Sequence, residues 1–232
     1  MKKIIIAIDG VSSTGKSTLA RMLSQYLQYK HINTGAMYRA VTLNALKNNW
    51  IDDSIGEKSI QSNLIIESVE TLNFDFVYNG NIYELFLNGE NIDTQIKTPL
   101  ISKYVSIVSS YSLLRKKIVS LQQELGLEKG IVMEGRDIGS VVFPEADLKL
   151  FITASVTVRA ERRHQELLQM GINSKFNDVL ENLQMRDFFD SNRKASPLKK
   201  TIDAVLIDNT SLNIEQQFDI VVELLKEKFP FI

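Results

Sequence analysis

Cysteine is absent from the 232-residue chain, which excludes a disulfide scaffold, thiolate-bound metal and a cysteine nucleophile. Only two histidines are present, too few for a histidine-based zinc centre. Four prolines and eleven glycines are not enough for a linker-rich or low-complexity chain. No apolar run near the start approaches the roughly 18 residues that cross a bilayer. The run at residues 4–8 stops at Asp9-Gly10, which also spoils any secretory leader pattern. Charge of one sign is missing too: 27 basic against 28 acidic residues leave a net −1, without the field that draws a protein onto nucleic acid. These absences lead us to expect a cytoplasmic protein that binds neither nucleic acid nor membrane. With no long apolar seam, a monomer is expected. What is present is ordinary for a globular chain: 44% hydrophobic and 24% charged residues, enough for one substantial core with appended lobes.

Residues 2–8 form a continuous β-rich run stopped by Asp9-Gly10, the pattern of a strand buried on both faces. Residues 16–28 then show helical spacing, with Leu19, Met22, Leu23 and Leu27 on one side. A short strand at 30–33 precedes a helix at about 35–48. Further buried strands are expected at 130–133, 148–152 and 204–207, each leading into helical sequence. Alternating βα units predict a parallel sheet with helices on both faces. The rhythm breaks at 70–92, where alternating residues are punctuated by Asn79-Gly80 and Asn88-Gly89, the signature of a small antiparallel meander. The expected organisation is a core of 1–49 and 92–232 with a short helical lid at about 155–173, and an inserted β lobe at 50–91.

Gly10-Val11-Ser12-Ser13-Thr14-Gly15-Lys16-Ser17 matches G-x-x-x-x-G-K-[ST] between a strand and a helix, where the phosphate-binding mechanism requires it. The glycines let backbone N–H groups turn inward, and the helix N-terminus adds its positive dipole. Lys16 is suited to the β- and γ-phosphates, and the Ser17 hydroxyl to Mg²⁺. A purine nucleoside triphosphate with Mg²⁺ follows. Such a loop serves switches, motors and small-molecule kinases alike. No guanine-reading Asn-Lys-x-Asp segment is present, and the strand at 130–133 leads into Glu134-Gly135-Arg136-Asp137, where an arginine suits an anionic substrate better than water activation. Arginine is the side chain for bidentate phosphate recognition. Arg39, Arg115, Arg136, Arg186 and Arg193 are candidates, with Arg159, Arg162 and Arg163 on the helix after Ile152.

Thr34-Gly35-Ala36-Met37-Tyr38-Arg39, Glu134-Gly135-Arg136-Asp137-Ile138-Gly139 and Arg186-Asp187-x-x-Asp190-x-x-Arg193, in order with the phosphate loop, resemble the bacterial cytidylate kinases, a branch of the nucleoside monophosphate kinases. The resemblance implies a P-loop three-layer α/β fold and transfer of a phosphoryl group from ATP, with Mg²⁺, to CMP and dCMP. It implies that Gly10, Val11, Ser12, Ser13, Thr14, Gly15, Lys16, Ser17 and Thr18 hold ATP. Thr34, Arg39, Arg136 and Arg193 correspond to ligands of the acceptor phosphate. Ser106, Arg115 and Asp137 correspond to the readers of the cytosine edge, and Arg186 and Asp190 to the pair at the ribose. Arg159, Arg162 and Arg163 fall in the lid and, with Lys16, on the transferring group. The chain departs from the pattern at Glu134, where Asp is usual, at Thr34 for a frequent Ser, and at Lys97 for Arg. The rival readings are a kinase of the same architecture acting on UMP, AMP, shikimate or gluconate, and a non-catalytic nucleotide switch.

Overall fold

A computed structural model describes residues 3–80 and 82–231, so Lys2 of the first expected strand and Asn81 of the meander lie outside the described residues. The chain divides into two units, one of Met1–His31 with Glu128–Ile232 and one of Ile32–Leu127.

The first unit is built around strand β1 (Ile5–Gly10), every residue of which is buried. It runs parallel to β6 (Ile131–Gly135) on one side and β7 (Leu148–Thr153) on the other, with Ile6 opposite both Val132 and Leu148. Strands β2 (Lys30–Asn33) and β8 (Val205–Asp208) complete a five-stranded sheet in the order β2-β6-β1-β7-β8. A strand flanked on both sides and covered on both faces has no use for alternation, which is why β1 reads as an unbroken apolar run. Helix α1 (Lys16–Leu27) lays Leu19, Ala20 and Leu23 against Ile4, Ile6 and Ile8. Helix α8 (Ile214–Lys228) adds Val221, Val222 and Leu225 to the same core. Its first turn is closed by a reciprocal pair, Asn213 Oδ1 accepting from the Gln216 N–H while Gln216 Oε1 accepts from the Asn213 N–H. Helices α6 (Val156–Gln169) and α7 (Phe176–Asn192) form a hairpin with its own small core of Ala160, Leu167, Val179 and Leu183.

The strand expected at 130–133 is followed not by an α-helix but by a single π-helical turn, Ile138–Val142. The chain then reaches β7, which lies on the other side of β1 from β6.

The second unit gathers helices α2 (Thr34–Lys47), α3 (Ser62–Ser68), α4 (Pro99–Val108) and α5 (Ser112–Leu125) around a core that includes Met37, Val41, Ile65, Tyr104, Val108 and Ile118. Strands β3 (Phe74–Tyr78), β4 (Tyr83–Leu87) and β5 (Glu90–Asn91) make the antiparallel meander. Period-two alternation sends Phe74, Phe76, Leu85 and Leu87 to the helical core. Asn88 and Gly89 both take positive φ, 51° and 81°, which gives the tight turn pairing Leu87 with Glu90 its hairpin twist. Asn33 and Thr98 cap α2 and α4 by accepting from the N–H groups of Ala36 and Ile101.

Candidate active site

The loop after β1 wraps around the ammonium of Lys16, which is itself buried. Lys16 Nζ donates to the Val11 carbonyl oxygen and to Thr14 Oγ1, the latter at 3.3 Å. Gly10 has φ of 143°, and a Cβ there would stand 2.0 Å from the carbonyl oxygen of Ile152, so no side chain is admissible. Gly15 takes φ of 80° at the N-cap of α1, leaving the first N–H groups of that helix directed into the loop. Burial depresses the Lys16 ammonium to about 7, and Arg136 pushes in the same direction, while Glu134, Asp9 and Asp190 oppose. The protein holds a cation here that is short of negative partners. Phosphate oxygens would supply them.

Next to it, Ser17 Oγ donates to Glu134 Oε2 at 2.9 Å, and His31 Nε2 lies 3.1 Å from Glu134 Oε1. Burial alone would raise the Glu134 carboxyl, but His31, Lys16 and Ser17 hold it below the ordinary glutamate value. Glu134 thus remains a carboxylate at the carboxyl end of β6. The hydroxyl of Ser17 and this carboxylate are hard oxygen donors of the kind Mg²⁺ takes alongside water and phosphate. The residues present therefore fit the metal.

One residue beyond Gly135 stands Arg136. Its Nε donates to Asp190 Oδ2 at 2.8 Å and its Nη2 to Ser12 Oγ at 2.6 Å, joining the phosphate loop to α7. Arg193 approaches the same carboxylate, Nη1 to Asp190 Oδ1 at 3.5 Å, and donates from Nε to the Ser196 carbonyl. Its Nη2 lies 3.9 Å from Asp137 Oδ1. Burial would raise the Asp190 carboxyl, yet Arg136, Arg186 and Arg193 keep it below the normal aspartate value. Burial, followed by Arg136, lowers the Arg186 guanidinium to about 10, and its buried Nε has no hydrogen-bond partner among the described residues. Three guanidinium groups converge where two aspartates face them.

Among the lid arginines, Arg159 is buried and turned inward. It donates from Nε to the Ala154 carbonyl and from Nη1 to the Ser12 carbonyl at 3.3 Å, and pairs with Asp187 at 2.7 Å. Arg162 donates to Asn209 Oδ1 and to the Asn209 carbonyl, both at 3.0 Å, so it braces the loop after β8. Asn209 in turn donates from Nδ2 to the Thr14 carbonyl. Arg163 pairs with Glu166 on its own helix.

The second unit carries Thr34, Arg39, Ser106 and Arg115. Thr34 is the first residue of α2, and Ser106 is buried on α4. Arg39 Nη1 donates to the Ile96 carbonyl at 3.0 Å and to Ser102 Oγ at 3.1 Å. Arg115 is buried, donates to the Ser109 carbonyl at 2.9 Å, and stacks 5.0 Å from the Tyr38 ring centroid. Lys97 pairs with Asp93.

A model of the cytidylate kinase family matches residues 6–227. The chain belongs to the cytidylate kinase family. The cytidylate kinase of Flavobacterium johnsoniae is 48% identical over 229 residues, 98% of each chain. That of Flavobacterium psychrophilum is 47% identical over 227 residues, 97% of this chain and 99% of its own. The Bacteroides thetaiotaomicron enzyme is 44% identical over 231 residues, 99% and 97% of the two chains. This cytidylate kinase family member is therefore similar from end to end to enzymes of one name. No helix among the described residues is long and apolar enough to cross a membrane.

Two residues of this site were not candidates from the sequence. His31 belongs to no motif in the sequence, and its partner is the Glu134 carboxylate. Asp9 accepts hydrogen bonds from the Ile138 and Gly139 N–H groups, each at 2.7 Å. The only signal for Asp9 was its place between an apolar strand and the first glycine of the loop.

Proposed function

We propose that the chain transfers the γ-phosphoryl group of ATP to CMP, and to dCMP, giving ADP and the nucleoside diphosphate. The observation that carries this reading is the pairing of a phosphate loop around Lys16 with the cluster of Arg136, Arg186 and Arg193 about Asp190. A hydrolase would place a water-activating group there, whereas arginines suit a second phosphorylated ligand. Residues 10–18 hold ATP, with Lys16 on the β- and γ-phosphates. Ser17 would hold Mg²⁺, which when bound neutralises charge on the phosphate oxygens. Thr34, Arg39, Arg136 and Arg193 hold the acceptor phosphate and aim it in line with the breaking bond. Ser106, Arg115 and Asp137 read the cytosine edge, and Arg186 and Asp190 bind the ribose. Arg159, Arg162 and Arg163 belong to a lid at about 155–173 that excludes water from the transferring group.

No general base is needed, because a phosphate monoester near neutral pH is already a competent nucleophile. The loose transition state leaves positioning and charge neutralisation as the work of the protein. The inserted lobe at 50–91 completes the acceptor-binding region, and the enzyme acts as a cytosolic monomer. An ADP-release assay across CMP, dCMP, UMP and AMP tests the reading. CMP and dCMP should be turned over in preference to UMP and AMP. Equal turnover with and without any acceptor would refute it.

A further inference from the structure

We propose that Asp9 is a positioning residue for the acceptor site: its carboxylate clamps the turn after Arg136 and Asp137 and so fixes both side chains on the nucleotide monophosphate. The inference rests on the acceptor-binding roles given above to Arg136 and Asp137.

The clamp is doubly built. Asp9 is buried at the end of β1, immediately before Gly10 of the phosphate loop. Its Oδ1 accepts from the Ile138 N–H and its Oδ2 from the Gly139 N–H, both at 2.7 Å. These amides open the π-helical turn Ile138–Val142, and Asp137 at its N-cap makes no side-chain cap to it. Asp9 therefore satisfies, from another strand, the amide donors that a helical turn leaves orphaned. On the other side of the pair, the backbone of Asp9 lies opposite Gly135 in the β1–β6 register. Arg136 and Asp137 are thus a two-residue span held at both ends by one residue, which also adjoins the ATP loop. A carboxylate is suited to this because both its oxygens accept, whereas an amide has one acceptor and one donor.

Gly139 belongs to the same device. A Cβ there would meet Lys149 Cδ at 3.1 Å and Asp9 Oδ2 at 3.3 Å. A side chain there would make the lysine stem or the carboxylate give by a few tenths of an ångström, so glycine lets the turn sit at its full hydrogen-bonding distance.

The charged groups acting on Asp9 are Asp137 of the turn, which raises its carboxyl, and Lys16 of α1, which lowers it; the Lys149 stem of β7 packs against the same glycine as Asp9 Oδ2. Burial raises the Asp9 carboxyl to about 6, against the lowering effect of the two amides. Protonation would set an O–H against an N–H donor and release one end of the clamp, so the turn loosens as pH falls through about 6.

Kinetics and NMR of Asp9→Asn test the proposal together with Gly139→Ala, which crowds the same contact without altering the charge. In the wild type, the Ile138 and Gly139 amide protons should shift with pH with a midpoint near 6. In Asp9→Asn that titration should vanish. Asp9→Asn should raise KM for CMP tenfold or more and lower kcat, while KM for ATP stays within about twofold. Gly139→Ala should give the same split in smaller measure. Unchanged CMP kinetics in both variants would overturn the proposal, as would a parallel loss for ATP and CMP accompanied by a lower Tm. Wild-type amides that do not titrate would also overturn it. Failure of the wild type to phosphorylate CMP would instead overturn the functional reading, leaving the amide titration to report on the clamp itself.

Discussion

Replacing Lys16 by Met should destroy activity and stabilise the empty protein. Lys16 is buried, and it is the negative charge of a bound triphosphate that would offset the cost of that burial. Its ammonium falls from 10.5 to about 7 on folding, a difference of about 5 kcal/mol between its charged and neutral forms. At pH 7 roughly 4 kcal/mol of that opposes folding. Methionine fills similar space without the charge. The loss of donors to the Val11 carbonyl and Thr14 Oγ1 costs roughly 1 kcal/mol each. The net gain is about 2 kcal/mol, or about 4–8 °C in Tm for a chain of this size. Between about pH 7 and the unfolded value of 10.5, the unfolded chain binds a proton at this lysine that the folded chain has lost. Wild-type stability therefore rises with pH across that window, by about 2 kcal/mol from pH 7 to 9 through Lys16 alone. The variant should lack this increment. Urea unfolding of both proteins at pH 7 and 9, without nucleotide, measures it. In parallel, kcat should fall by about a thousandfold or more, a loss of about 4 kcal/mol in transition-state stabilisation. A variant that melts at or below the wild type at pH 7, with no difference in pH slope, would refute the electrostatic argument.

Asp137→Asn should lower kcat/KM for CMP at least about tenfold more than for UMP, about 1.4 kcal/mol, because a carboxylate takes the cytosine amino proton but opposes the uracil carbonyl. Parallel loss for both acceptors would move base reading to Ser106 and Arg115. Arg136→Met should cost roughly 1–3 kcal/mol in urea unfolding, since Asp190 loses its 2.8 Å partner while Arg186 and Arg193 remain, and should raise KM for CMP more than for ATP. Gly10→Ala should yield little soluble protein, because its Cβ would sit 2.0 Å from the Ile152 carbonyl oxygen at a φ of 143°; a normal yield and Tm would contradict the close approach.

The sequence by itself determined whatever is encoded between near neighbours in the chain. The phosphate loop was legible because its glycines and Lys16 serve one continuous stretch of backbone, and the Asn88-Gly89 turn because φ values of 51° and 81° need those residue types. The unbroken apolar character of β1 announced a central parallel strand, and the structure places it between β6 and β7. The antiparallel meander was legible for the same reason, its alternation being a property of each strand alone. The tertiary structure decided everything that depends on two segments meeting. Arg159 and Arg162 share a helix with Arg163 and read alike along the chain, yet Arg159 turns inward to Ser12 and Asp187, and Arg162 braces Asn209. Glu134 looked like a one-methylene departure from pattern until Ser17 and His31 were found on its two oxygens. Asp9 carried no motif at all, because its partners are backbone amides about 130 residues away. Backbone donors leave no mark in a sequence, and a side chain's charge matters only once folding has chosen what surrounds it.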